Sequence, residues 1–392
     1  MKVISALAIT LMLNGDGSPA PRPEAAGPRA GSSSVPTAAF APDGTLWVAW
    51  VDGSHVHAAS SSDLGQTFSE QARVSPDGES IDANGEARPK IAAGPNGEVY
   101  VSYTRKGRRP FTGDIRFSRR LPDGRFAEPV TVNDDGLETG HRFDTLAVSP
   151  RGDVHLVWID KRDMERAREQ GTPYEGAALY HAVSTDGGRS FSANRKVKDG
   201  VCECCRLALA WDGETPVLHW RDILEDGIRD HSIARLAEAG STSVLRASDD
   251  DWKIDGCPHH GPALAIGGDG TWHLAWFTGE GRRGLGTFYR RSADGGRSFS
   301  EPVRLGTAHA SRPAVLAAGT SVWLAWKEPA GLEATAVRAM RSADAGLTWS
   351  EGREVSRTTG GSDHPMLVAR GSEAFLSWFT ASVGYRLVRL AE

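Results

Sequence analysis

The residues of this chain best suited to chemistry are its sulfurs and a set of imidazoles. Val201-Cys202-Glu203-Cys204-Cys205-Arg206 and Gly256-Cys257-Pro258-His259-His260-Gly261 together hold all four cysteines. Thiolates and imidazoles in one place suit soft or borderline cations, copper(I) or zinc(II), although neither segment has zinc-finger spacing. Copper is the better match to a cysteine-rich set, with zinc as the alternative. Disulfides compete with this reading, because four cysteines in an oxidising compartment can pair fully. A bridge from position 202, 204 or 205 to Cys257 would close a loop of about 55 residues and contribute about 4 kcal/mol. One disulfide beside a metal site is a third arrangement. His141, His309 and His364 occupy corresponding places elsewhere in the chain, and Met164 lies in a long charged segment; these four are additional ligand candidates.

A second constellation is cationic. Arg88, Arg142, Arg206 and Arg312 each precede or open a short apolar segment. Three guanidiniums facing one point would clamp the carboxylate of a small acidic ligand. The plainer expectation is that they pair with local carboxylates such as Asp144, Asp222 or Asp363.

The elements that must position these groups recur along the chain. A turn followed by an apolar strand ending in an aromatic appears seven times, with the aromatics at Trp50, Tyr103, Trp158, Trp220, Trp276, Trp326 and Trp378, 50 to 62 residues apart. Each turn follows a shorter apolar segment, such as Pro262-Ala263-Leu264-Ala265-Ile266, that reads as its hairpin partner. A period near fifty residues with several strands each predicts propeller blades. The 45 Gly, 21 Pro and 12 Trp fit the same all-β picture of short strands, tight turns and large apolar anchors. The spacing favours seven blades, with six as the alternative. In a ring of four-stranded meanders the connections into the innermost strands surround one mouth of the central channel. Both cysteine segments and all four arginines fall in, or directly beside, those connections.

A further motif follows the aromatic strand: Ser61-Ser62-Asp63-Leu64-Gly65-Gln66-Thr67-Phe68, with counterparts centred on Asp186, Asp294 and Asp344. Its physics is that of a hairpin turn in which the Asp carboxylate accepts backbone N–H groups, Gly supplies a positive φ and the aromatic packs beneath. These four segments resemble the Asp-box, or bacterial neuraminidase repeat, of the sialidase superfamily, and Leu121 to Phe126 resembles a degenerate fifth. The resemblance covers nearly everything after residue 35 and implies a sialidase-like β-propeller with structural Asp63, Asp186, Asp294 and Asp344. The segment from about residue 200 to 280, with Trp220-Arg221-Asp222 and Ile228-Arg229-Asp230, is also similar to a group of exported bacterial sialidase-like proteins.

A sialidase needs three arginines for the substrate carboxylate, a Tyr with a Glu partner, and an Asp acid/base. The Phe/Tyr-Arg-Ile-Pro motif that opens sialidase propellers is missing: the first strand reads Ser34-Val35-Pro36-Thr37-Ala38-Ala39-Phe40, without Arg. No Tyr occupies an obvious nucleophile motif, and the family's catalytic residues do not carry over one by one. An exo-glycosidase acting on an acidic sugar therefore stands as the alternative to metal binding. A non-catalytic interaction platform stapled by disulfides, with a protein partner at the mouth, is the third reading.

Residues 1–20 read as a signal peptide, with Lys2 ahead of the apolar run from Val3 to Leu13, which is too short to span a bilayer. An exported protein, periplasmic or secreted, is expected, with no transmembrane segment in the mature chain. Residues 21–34 form a Pro/Gly/Ala-rich linker or a closing strand, and 35–392 a single propeller. The formal net charge of −5 and the lack of a dominant basic patch argue against nucleic acid. The segment from Asp160 to Gly176 is expected to be a mixed-charge loop.

Overall fold

The computed structural model describes residues 27–29, 31, 33–236 and 242–391. The signal-peptide reading and most of the 21–34 segment lie outside them. Seven antiparallel sheets are arranged in a ring. The first blade runs β1 (Ser33–Phe40), β2 (Leu46–Asp52), β3 (His55–Ser61), β4 (Ala72–Arg73), and the second β5 (Lys90–Ala93), β6 (Val99–Lys106), β7 (Gly113–Arg119), β8 (Val130–Thr131). The third comprises β9 (His141–Val148), β10 (Val154–Asp160), β11 (Ala177–Ser184) and β12 (Arg195–Val201). The fourth comprises β13 (Ala208–Asp212), β14 (Thr215–Arg221), β15 (His231–Arg235) and β16 (Val244–Arg246). Blade five is β17 (Ala263–Ile266), β18 (Trp272–Thr278), β19 (Gly286–Ser292), β20 (Val303–Leu305), and blade six β21 (Ser311–Ala318), β22 (Ser321–Pro329), β23 (Thr335–Ser342), β24 (Arg353–Thr358). Blade seven has three described strands, β25 (Met366–Arg370), β26 (Glu373–Thr380) and β27 (Gly384–Arg389). The ring is a seven-bladed all-β propeller.

Each blade is a meander whose first strand lines the channel, and each first strand packs against the next, with β25 returning to β1. All seven anchor aromatics sit near the ends of the second strands and are buried. They fill the wedges between blades, where the twist of successive sheets would otherwise leave voids. Several also satisfy their indole N–H: Trp158 donates to Asp160 at 2.8 Å, Trp276 to Asp250 at 2.7 Å and Trp326 to Glu328 at 2.9 Å.

The four Ser-x-Asp turns lie between third and fourth strands, on the face away from the cysteines. In each, the Ser hydroxyl donates to the Asp while Thr67, Ser190, Ser298 or Thr348 donates from both backbone and hydroxyl, at 2.6 to 3.0 Å. Those donors hold the carboxyls of Asp63 and Asp294 down to about 2 and lower Asp186 and Asp344 in the same direction. The turn aromatics reach the preceding blade: Phe191 meets Phe117, Trp349 meets Tyr289, and Phe68 meets Tyr385 across the junction of blades one and seven. At that junction Tyr385 N also donates to Pro28 O, bringing the segment ahead of β1 against β27.

The 160–176 segment departs from expectation. It forms a helix, α1 (Arg162–Gln170), closed by Gly171 at φ 66°. Its charges, which read as loop, are spaced three apart and pair on two sides of the helix, Asp163 with Arg166 and Glu165 with Arg168. Among the described residues no helix is long and apolar enough to cross a membrane.

Candidate metal centre at the channel mouth

The loop between β12 and β13 carries three cysteines across the mouth. Its start is fixed by Cys202 N donating to Arg221 O at 3.1 Å, its end by Arg206 N donating to Glu86 Oε2 at 2.9 Å. The loop ahead of β17 brings Cys257 and His259. It lies so close to the first that a Cβ on Gly261 would stand 2.4 Å from the Arg206 carbonyl oxygen, so only glycine fits there. Gly261 N donates to the same Glu86 Oε2, at 2.8 Å. One carboxylate oxygen thus fastens the ends of both cysteine segments. Beneath them the buried Arg221 guanidinium donates to the carbonyls of Arg229, His260 and Phe277 at 2.6 to 3.0 Å.

All four cysteines are free thiols. Cys202, Cys204 and Cys205 are buried, and Cys202 Sγ stands 3.8 Å from Cys204 Sγ and 3.9 Å from Cys205 Sγ. Sulfurs bonded to one ion at about 2.3 Å must stand about 3.8 Å apart in a tetrahedron and about 4.0 Å apart in a trigonal plane, and both separations from Cys202 fall in that range, with all three sulfurs within 4.8 Å of one another. A second group shares one of these sulfurs: Cys204, Cys257 and His259 present ligand atoms all within 4.8 Å of one another. The buried sulfurs belong to an apolar cluster that includes Val201, Leu207 and Trp220. The S–H groups of Cys204 and Cys205, helped by the charges of Arg221 and Arg229, pull the Cys202 thiol well below its ordinary value. Donation to Cys202 raises Cys204, and burial pushes Cys205 up to about 12. Cys202 is accordingly the sulfur on which negative charge is best accommodated.

The other expected ligands fall elsewhere. His260 belongs to neither group: its Nδ1 lies 2.7 Å from Pro258 O and its ring stacks on Phe277 at 4.0 Å, making it a support for the loop. His309 is exposed at the rim, and Met164 is half-buried on α1. His364 approaches Glu86, with Nδ1 3.3 Å from Oε1. His141 sits in a separate buried cluster with Asp135 at 3.1 Å and Asp160 at 3.8 Å. There Arg162, 2.9 Å from Asp160 and 3.4 Å from Asp135, offsets part of the negative charge of the cluster.

Arg88, Arg206 and Arg312 do converge, and internal carboxylates occupy them. Glu86 accepts from Arg206 Nη1 at 2.9 Å and Arg312 Nη1 at 3.0 Å, while Arg88 donates to Asp363 at 2.7 Å. Arg142 is apart, bound to Asp82 at 2.6 Å. Burial opposes ionisation of Glu86, but Arg206, His364 and Arg312 outweigh it and hold the carboxyl well below its usual range. Below this cluster the channel opens into a cavity of about 270 Å³ lined by all seven inner strands. Within it burial lowers the Lys90 ammonium to about 8.

Glu86 and Arg221 are the residues that sequence reasoning passed over as site builders. Glu86 stands among the mouth connections and Arg221 within a segment noted only for its resemblance. Their importance comes from backbone partners far away in the chain.

No family model and no curated protein sequence matches the chain. Solved structures do share its fold. The Hadza microbial sialidase Hz136 has 16% identity and a TM-score of 0.52 over 88% of this chain and 76% of its own. A polysaccharide lyase of family PL25, an ulvan lyase, aligns at 11% identity and TM-score 0.57 over 93% of this chain and 96% of its own. An α-L-arabinofuranosidase from Fusarium graminearum gives 14% and 0.52 over 78% and 91%. The propeller is therefore of the kind found in sialidases and other carbohydrate-active enzymes, and fold likeness of this order leaves the chemistry to the site itself.

Proposed function

We propose that this protein binds a soft transition-metal ion, copper(I), through the cysteine segments at its channel mouth and serves in metal handling outside the cytoplasm. The observation that carries the reading is the set of three buried sulfurs, with Cys202 3.8 and 3.9 Å from its neighbours, extended through Cys204 to Cys257 and His259. Thiolates neutralise the cation, and a site built from sulfur in an apolar cluster favours copper(I) over harder ions. Zinc, with its tetrahedral preference, is the alternative occupant. The export reading of residues 1–20 would place this chemistry in the periplasm or outside the cell, where oxidation of the same thiols would switch metal binding off. Support for a sugar-binding reading is weaker, because Glu86 and Asp363 already occupy the arginines that would hold an acidic sugar.

The test is metal content by mass spectrometry on protein purified without chelators from the exporting compartment, beside Cys204→Ser. Near-stoichiometric copper that disappears in the variant supports the proposal. Metal-free protein that takes up none after mild reduction refutes it, and hydrolysis of a fluorogenic sialoside that is lost on Arg312→Ala would favour the glycosidase alternative.

A further inference from the structure

The two ligand groups at the mouth differ in exposure. Cys202, Cys204 and Cys205 are buried, whereas Cys257 and His259 are exposed. Cys204 belongs to both groups, and among the described residues the five do not form a single group. An ion held at one group therefore has in Cys204 a ligand it need not release to reach the other. The exposed loop is also braced: His259 O accepts from Arg312, Gly261 N donates to Glu86 at 2.8 Å, and His260 Nδ1 meets Pro258 O at 2.7 Å. Its ligands thus stand ready at the surface on a fixed support.

Building on the metal reading above, we propose that the mouth is a two-station relay, in which Cys204, Cys257 and His259 acquire copper(I) from a carrier and pass it to Cys202, Cys204 and Cys205 for retention. The direction follows from ligand softness: two sulfurs and a nitrogen outside, three sulfurs inside, with copper(I) preferring thiolate. Transfer is ligand exchange without redox change. The bonds from copper to Cys257 Sγ and His259 nitrogen break, those to Cys202 Sγ and Cys205 Sγ form, and that to Cys204 Sγ persists. Any protons leaving Cys202 and Cys205 go to the vacated Cys257 sulfur and to water. The partner is a copper(I) carrier whose own ligands are displaced at the exposed station, where sulfur and imidazole are both within its reach.

The relay separates rate from affinity. Reduced, metal-free full-length protein is mixed with copper(I) bathocuproine disulfonate, and loss of the chelate's visible absorbance is followed in time and to its end point. Wild type, Cys257→Ser/His259→Ala and Cys205→Ala are compared, each with an unchanged far-UV spectrum and thermal midpoint. The relay predicts that the double variant takes up one copper with affinity within about threefold of wild type but about tenfold more slowly or worse. Cys205→Ala should load at the wild-type rate yet hold copper on the order of 100-fold more weakly. Loading of the double variant at the wild-type rate overturns the relay, as does an affinity loss equal to that of Cys205→Ala, which would mean one site with all the ligands. Failure of wild type itself to take copper overturns the metal reading and the relay with it.

Discussion

Glu86 offers the sharpest perturbation of this mouth. Its side chain is almost fully buried, and it accepts from Arg206 N, Gly261 N, Arg206 Nη1 and Arg312 Nη1, all at 2.8 to 3.0 Å. Replacing it with Ala leaves two amides without an acceptor, each costing about 1–3 kcal/mol, and two guanidiniums without a counter-charge. Those guanidiniums are about one-fifth exposed, so water recovers part of their loss. The net is about 3–5 kcal/mol, the range for removing one partner of a buried ion pair. Because Glu86 Oε2 fastens both cysteine segments, the same change should weaken metal binding by about 10–100-fold. Glu86→Gln keeps one oxygen for the amides but turns an NH₂ toward the guanidiniums, and should cost about 1.5–3 kcal/mol. Urea unfolding of the metal-free protein and copper(I) competition with bathocuproine disulfonate read the two effects. If Glu86→Ala unfolds within about 1 kcal/mol of wild type and binds copper as tightly, Glu86 does not organise this site.

Acid should destabilise the fold beginning near pH 6.5. Burial lowers His181 and His219 to about 3 and His273 to about 4, from 6.5. The unfolded chain therefore takes up those protons first, and the stability they contribute is present above pH 6.5 and lost as pH falls toward 3–4. Each contributes a slope of up to about 1.4 kcal/mol per pH unit in that window. Partner groups raise His141, whose contribution has the opposite sense, present below 6.5 and lost as pH rises through its folded value. His219→Gln should remove one increment of the acid slope in urea midpoints measured from pH 7 to 5, and an unchanged slope would contradict the assignment. In the native metal-free protein a single thiol should react rapidly with a disulfide reagent and three slowly, with Cys257→Ser abolishing the fast phase. Trp220→Ala should cost about 3–5 kcal/mol in urea unfolding. It should also weaken copper binding, since Trp220 packs in the same apolar cluster as Cys202, Cys204 and Cys205.

Much of this architecture was legible in the residues. The seven anchors from Trp50 to Trp378 recur because every blade needs a large apolar group at the same register, so the fold's period is written directly into the chain. Placement of both cysteine segments at one mouth followed from that period. Other features depend on backbone geometry that spacing does not carry. His259 and His260 are adjacent, yet His259 has φ 51° and reaches the metal group while His260 stacks on Phe277. Glu86 acquires its role from Arg206 and Gly261, 120 and 175 residues away. The helix α1 was hidden because it carries i,i+3 ion pairs in place of an apolar stripe.

The most direct test of the metal site is X-ray absorption at the copper edge on protein loaded with one equivalent of copper(I) and passed through a desalting column. The account predicts retained copper with a first shell of sulfur alone, as Cys202, Cys204 and Cys205 would supply. A shell of nitrogen or oxygen, or copper that does not survive the column, would contradict it.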